Sequence, residues 1–307
     1  LNPESQADSA LAEAILRTLI YADVFNFPMT VSEIHFFLIE QAATLHQVET
    51  ALGASRWLNQ RITCFEGYYA LVGREQVIAE RQRREGYSAA LWPAGVRYGA
   101  ILAKLPFVRM VALTGALAVR NAHSPTDDLD YLIVTRAGRV WLARAFTVLL
   151  VRLAKLRGVT ICPNYVLSES ALAQQSHDLY IAHEVAQMIP LSGLKLYQAL
   201  RAENTWTRMH LPNATAPLYE EREAAMNRRL KLLAEWLLGG FLGDALEDWE
   251  RRRKLRKFAP KAQTPHTSAQ LDNDHVKGHF NDYGYPTLNK YHARLIEYGL
   301  RPTQIEE

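Results

Sequence analysis

Between Val111 and Thr135 the chain reads VALTGALAVRNAHSPTDDLDYLIVT, and this stretch limits the fold more than any other. Val111, Ala112 and Leu113 end an apolar, β-prone run that breaks at Thr114-Gly115. A short helical piece and a Ser-Pro-Thr-Asp turn follow, and then a second strand from Leu129 to Val134 with acids at its start. Side chains alternate along a strand, so Asp128 and Asp130 share one face while Leu129 and Tyr131 take the other. Two carboxylates one strand period apart repel each other unless a cation sits between them. A hard divalent ion such as Mg²⁺, which prefers oxygen ligands and keeps phosphate as a co-ligand, suits such a pair. Acidic pairs after Ser-Pro are also ordinary turn chemistry. The glycine turn upstream is what gives this pair a second meaning.

Gly115-Ala116, continued by Leu117-Ala118-Val119-Arg120-Asn121-Ala122 and then by Asp128-Leu129-Asp130, resembles the nucleotidyltransferase superfamily of the DNA polymerase β type. It is most similar to the minimal bacterial and archaeal form, whose pattern is roughly Gly-Ser-Leu-Ala-x-Gly-Asn-Ala. The resemblance implies that Asp128 and Asp130 hold Mg²⁺ and act as the catalytic pair. It also implies that Thr114, Gly115, Ala116 and Arg120 contact the phosphates of an NTP. The implied reaction moves a nucleoside monophosphate to an acceptor hydroxyl, on a small molecule, RNA or protein, and releases pyrophosphate. Two residues depart from the pattern. Ala116 lacks the hydroxyl that the family places on a phosphate, and Arg120 stands where Gly is usual and can add a charge-assisted contact. The later strand, Val159 to Leu167, carries no third carboxylate; Asn164 is its polar residue, and Glu169 lies just beyond it. These departures keep a second function open, that of a catalytically impaired nucleotide-binding or protein-interaction module.

Upstream, apolar residues at helical spacing (Leu11, Ile15, Leu16, Leu19, Ile20) predict a helix from Ser9 to Phe25, stopped by Asn26-Phe27-Pro28. Thr30 and Glu33 have the spacing of a capping box. A further helix is expected from Thr44 to Leu58. Ile62–Phe65 and Tyr68–Val72 around Glu66-Gly67 form a hairpin signal. Three helices closed by a hairpin resemble a winged helix, which opens a third reading, a DNA-binding regulator. The charges oppose it. Through Gln60 the basic side chains are Arg17 and Arg56, against Glu4, Asp8, Glu13, Asp23, Glu33, Glu40 and Glu49. DNA affinity depends on neutralising phosphates with Lys and Arg, so a packing or protein-contact module is expected.

Four segments result: a winged-helix-like domain at 1–73, connecting helices at 74–108, a nucleotidyltransferase core at 109–175, and a helical accessory region at 176–307 with a mobile loop near 260–275. The fold class expected is α+β with a small mixed sheet. Arg81, Arg83 and Arg84 are expected on a solvated helix face, and Arg97 and Lys104 are candidates to approach a triphosphate. Tyr180, Glu184 and Gln187 share a helix face able to line a pocket, with His183 beside them read as structural. Leu230, Leu233, Trp236, Leu237, Phe241 and Leu242 form an apolar stripe expected in the core or in a homo-oligomer. The run Arg251 to Lys257 is either a solvated helix end or a polyanion patch. His275 and His279 lack an acidic or Cys partner and are not expected to bind metal. With 49% hydrophobic and 22% charged residues in 307, the chain has ordinary globular composition. Its charge of +3 selects no partner by itself. Cys64 and Cys162 form no metal or disulfide pattern. Free thiols, no basic-then-apolar leader and no long apolar run lead to an expected cytoplasmic protein without membrane spans.

Overall fold

The computed structural model describes residues 3–219, 229–262, 269–277 and 282–302. The chain opens with helices α1 (Pro3–Asp23), α2 (Val31–Phe36), α3 (Leu45–Ala54) and α4 (Arg56–Asn59), followed by a hairpin of β1 (Ile62–Phe65) and β2 (Tyr68–Leu71). The five apolar residues predicted to face inward from α1 are all buried. Thr30 caps α2 in a complete capping box with Glu33. Glu66 and Gly67 both have positive φ, as a two-residue hairpin loop requires. The single helix expected from Thr44 to Leu58 is two, because the Ser55 hydroxyl accepts from the Leu58 N–H and starts α4. Met29 bridges Tyr69, tying the α1–α2 connection to the hairpin.

The long α5 (Gln76–Ala103) leads into a six-stranded mixed sheet. In chain order the elements are β3 (Val108–Leu113), α6 (Gly115–Ala118), β4 (Leu129–Thr135), α7 (Val140–Lys155), β5 (Ile161–Ser168), α8 (Leu179–Ala186), β6 (Ile189–Ser192), α9 (Leu194–Glu203) and α10 (Thr207–His210). After these come α11 (Arg229–Leu237), α12 (Phe241–Ala262), β7 (Gln270–Leu271), β8 (His275–Lys277) and α13 (Gly284–Glu297). The strand order is β6-β3-β4-β5-β8-β7. β3 and β4 are antiparallel, and β4 and β5 are parallel, joined by the crossover helix α7. Alternation along β4 sends Leu129, Tyr131 and Ile133 into the core that includes α5 and α7. Leu132 and Val134 go into the core that includes α8 and α9. Asp130 shares the second face.

The sheet draws on more of the chain than residues 109–175. β6 pairs with β3, and β7 and β8 extend the other edge beyond β5. Pro190 sits in β6, an edge strand that tolerates its missing N–H. Part of the loop expected at 260–275 is therefore strand; residues 220–228, 263–268 and His279 lie outside the described residues. Two further expectations change. Arg81 and Arg84 are buried rather than solvated: Arg81 donates to Glu33 and Glu85, and Arg84 to Glu80, the Phe25 carbonyl and Asn121. Only Arg83 of the three is exposed. The apolar stripe of α11 and α12 does not enter the core; Leu230, Trp236 and Phe241 are 82%, 77% and 88% exposed. In the basic run, Arg251 and Arg252 pair with Asp248, and Arg253 and Lys254 with Glu250. Part of the run is therefore paired within its own helix, and Glu250 and Lys254 are buried rather than solvated. No helix of the described residues is long and apolar enough to cross a membrane.

Candidate active site

The loop after β3 is held from three sides. The Thr114 N–H donates to the Asp130 carbonyl at 3.0 Å, and the Asn121 N–H to the Ala116 carbonyl at 2.8 Å. From α5, Arg84 donates to the Asn121 side chain, and the Ser88 hydroxyl accepts from the Ala122 N–H at 3.0 Å. The turn before β4 closes on itself, with the Asp127 carboxylate accepting from the His123 N–H at 2.7 Å. Asp127 is thereby committed to the turn. Tyr131, on the opposite face of β4, donates to the Gly95 carbonyl at 2.6 Å and anchors the strand to α5.

These elements form the floor of a cleft of about 1270 Å³ that includes Thr114, Gly115, Ala116, Asp128 and Asp130. Its volume exceeds the few hundred to about 1000 Å³ usual for small-ligand pockets. Gly115 has φ +65°, and a Cβ there would lie 2.9 Å from Asp130 Cγ. Glycine is therefore required twice, for the left-handed backbone and for the close approach of the carboxylate. Thr114 is 4% exposed, and its Oγ1 has no hydrogen-bond partner in the protein. A buried hydroxyl without a partner is costly, and this one belongs to a residue lining the cleft.

Asp128, Asp130 and Cys162 bring one ligand atom each to within 4.8 Å of one another. Among the described residues neither aspartate forms an ion pair with a Lys or Arg. Burial first, then the charge of Asp128, pushes the Asp130 carboxyl up to about 7, against hydrogen bonds from Asn164 and Cys162 that favour its ionised form. The donor set tests the fit to Mg²⁺: two carboxylates crowded without a cation are suited to a hard ion, whereas the thiol is not. Burial pushes Cys162 up to about 12, and its Sγ donates to Asn164 Oδ1 at 2.9 Å.

The facing wall is α8, capped by Asp178, whose carboxylate accepts from the Ile181 N–H at 2.8 Å. Tyr180, Glu184 and Gln187 all line the cleft from this helix. Glu184 accepts from Gln187 Nε2 at 2.6 Å, and burial raises it to about 7 against the nearby charge of Lys277 on β8. Arg120 does not line the cleft among the described residues; its guanidinium lies 4.1 Å over the Tyr219 ring. Arg97 and Lys104 are exposed elsewhere. His275 pairs with Asp272 at 3.0 Å. Cys162 and Lys277 were not singled out by sequence. Cys162 is set opposite Asp130 by the parallel register of β4 and β5, which local sequence does not carry.

His183 is a core residue. It stacks on Tyr21 at 4.0 Å and Phe37 at 5.5 Å, and its Nδ1 contacts the Leu179 carbonyl. Burial lowers its pKa to about 4 from 6.5. Below 6.5 the unfolded chain takes up a proton that the folded chain refuses, so stability falls as pH drops from 6.5 to 4. The loss attributable to this ring approaches about 3 kcal/mol. A His183→Phe variant is expected to show a flatter stability profile across that window in urea titrations. Equal slopes for variant and wild type would remove His183 as the cause.

Compared with family models, with curated proteins and with solved structures, the chain has no match.

Proposed function

We propose that the protein is a nucleotidyltransferase, moving a nucleoside monophosphate from an NTP to an acceptor hydroxyl with release of pyrophosphate. One observation carries this reading: two carboxylates without a cationic partner face a glycine turn on the floor of a cleft of about 1270 Å³. Asp128 and Asp130 hold the metal. Mg²⁺ held there would neutralise charge on the triphosphate and lower the pKa of the attacking hydroxyl. The backbone N–H groups at Gly115 and Ala116 face the phosphates, and the orphan Thr114 hydroxyl supplies the donor that Ala116 lacks. Arg120 takes no part, because it packs on Tyr219. Tyr180, Glu184 and Gln187 form the acceptor side. The rest is positioning, which phosphoryl chemistry demands more than covalent help.

The N-terminal helices and hairpin serve, in this reading, as a winged-helix-like unit that walls the cleft. Tyr21, Phe25, Phe27 and Phe37 line it from that side. Helix α3 carries no Lys or Arg, which is why the DNA-binding reading is set aside.

The test is pyrophosphate release from each Mg-NTP with small-molecule hydroxyls, RNA ends and protein acceptors. Gly115→Ala is expected to lower the rate by about 10²- to 10³-fold, because the added Cβ would lie 2.9 Å from Asp130 Cγ and push the carboxylate and the turn's N–H groups out of place. Activity unchanged in that variant, or no release with any acceptor, would contradict the proposal.

A further inference from the structure

The metal centre differs from a plain carboxylate pair in one respect. β4 and β5 are parallel neighbours, and their register sets Cys162 directly beside Asp130. Side chains at paired positions on adjacent strands emerge on the same face, so the thiol occupies the place where β5 would present a third ligand. The ligand atoms of Asp128, Asp130 and Cys162 lie within 4.8 Å of one another. The Cys162 Sγ is already oriented by Asn164, at 2.9 Å. A separate observation concerns the same cleft: Thr114 lines it, is 4% exposed, and has a buried hydroxyl with no partner in the protein, which a bound group would satisfy.

We propose that Asp128, Asp130 and Cys162 form a mixed oxygen and sulfur centre that binds a borderline divalent cation of the Zn²⁺ and Co²⁺ class more tightly than Mg²⁺. The inference rests on reading the aspartate pair as metal-holding, and it adds the identity of the third ligand. Mg²⁺ gains nothing from a thiol, so it has two protein ligands here. Zn²⁺ and Co²⁺ accept carboxylate and thiolate together and gain three, with further positions left for water or substrate. On binding, the S–H bond breaks, a metal–sulfur bond forms and one proton passes to solvent; no electron is transferred. The consequence is a site where trace Zn²⁺ competes with the Mg²⁺ of the transfer reaction and blocks it.

The test is Co²⁺ titration of the full chain after chelator treatment, followed by near-ultraviolet absorption. A thiolate-to-cobalt charge-transfer band is expected in wild type, displaced by Zn²⁺ and not by equal Mg²⁺. Cys162→Ser should lose the band and weaken Zn²⁺ binding by more than about tenfold, the lower end of what even outer-shell changes cost. Cys64→Ser, at an exposed position on β1, should keep it. Absence of the band in folded wild type, or its survival in Cys162→Ser, overturns the proposal. Thiol labelling gives a second readout that needs no variant: Zn²⁺ should slow modification of Cys162 and Mg²⁺ should not. Equal labelling rates with and without Zn²⁺ also overturn it. A cobalt band without any Mg-NTP binding would remove the transferase reading and leave the centre intact. Mg-NTP binding without the band would do the reverse.

Discussion

Glu33→Ala is expected to cost about 3–5 kcal/mol of stability, the range for breaking a buried ion pair from one side. Glu33 is 3% exposed and Arg81 is 1% exposed. One Glu33 oxygen accepts from Arg81 Nη2 at 2.7 Å, and the other from the Thr30 N–H at 2.8 Å, where it completes the cap of α2. Arg81 also lies 3.9 Å over the Phe27 ring, and its Nη1 already lacks a partner. Removing Glu33 leaves the guanidinium buried with Glu85 as its remaining carboxylate. The cost is chiefly that of a stranded charge. The double variant Glu33→Leu with Arg81→Met should recover most of the loss, since a well-packed apolar pair often equals a buried ionic one. Urea unfolding of the single and double variants measures both. A single-variant loss below about 1 kcal/mol would mean that the pair behaves as an exposed one. The contact matters beyond stability. It fastens the N-terminal helices to α5, and α5 in turn holds Asn121 and Ala122 through Arg84 and Ser88.

Asp130→Asn should do the opposite, stabilising the metal-free protein while removing its ligand. Burial and the Asp128 charge raise the Asp130 carboxyl to about 7, so the folded state resists its ionisation. A raised carboxyl pKa means stability that is full below the unfolded value near 3.8 and lost as pH rises through 7. Asn carries no charge and escapes that loss. The variant should therefore match wild type at pH 4 and exceed it by about 1–2 kcal/mol at pH 8, after allowance for partial exposure. Divalent binding should weaken by at least about 100-fold, a loss of roughly 2.7 kcal/mol. Opposite signs for stability and binding mark a site kept for function at the expense of the fold. Chemical unfolding without metal, at both pH values, checks the first half. A variant less stable than wild type at pH 8 would show that Asp130 is instead a structural carboxylate.

Much of this was readable from local chemistry. The capping box at Thr30 and Glu33, the hairpin at Glu66-Gly67 and the turn at Thr114-Gly115 are short-range features, dictated by residues within a few positions. The pairing of Asp128 with Asp130 follows from strand periodicity alone. What escaped was long-range. The ion pair between Arg81 and Glu33 spans 48 residues, and a cluster of arginines on a helix looks solvated until its partners are known. Strands β6, β7 and β8 are two to four residues long and take their stability from the sheet edges they join, so their own sequences carry little signal. Arg120 was expected at the phosphates because it follows the glycine turn. Its positive φ and its packing on Tyr219 turn it away. Cys162 gained its meaning only from the register between β4 and β5.

The central claim, that Asp128 and Asp130 hold a metal-bound nucleotide, is tested most directly by thermal stability with each Mg-NTP. Wild type is compared with the double variant Asp128→Ala and Asp130→Ala. A ligand that binds only the folded state adds about 2.7 kcal/mol at a hundredfold excess over Kd, a shift of several degrees that such a scan resolves. The result predicted is a rise in Tm that requires both Mg²⁺ and nucleotide and vanishes in the double variant. No rise with any nucleotide, or an equal rise in the double variant, would contradict it.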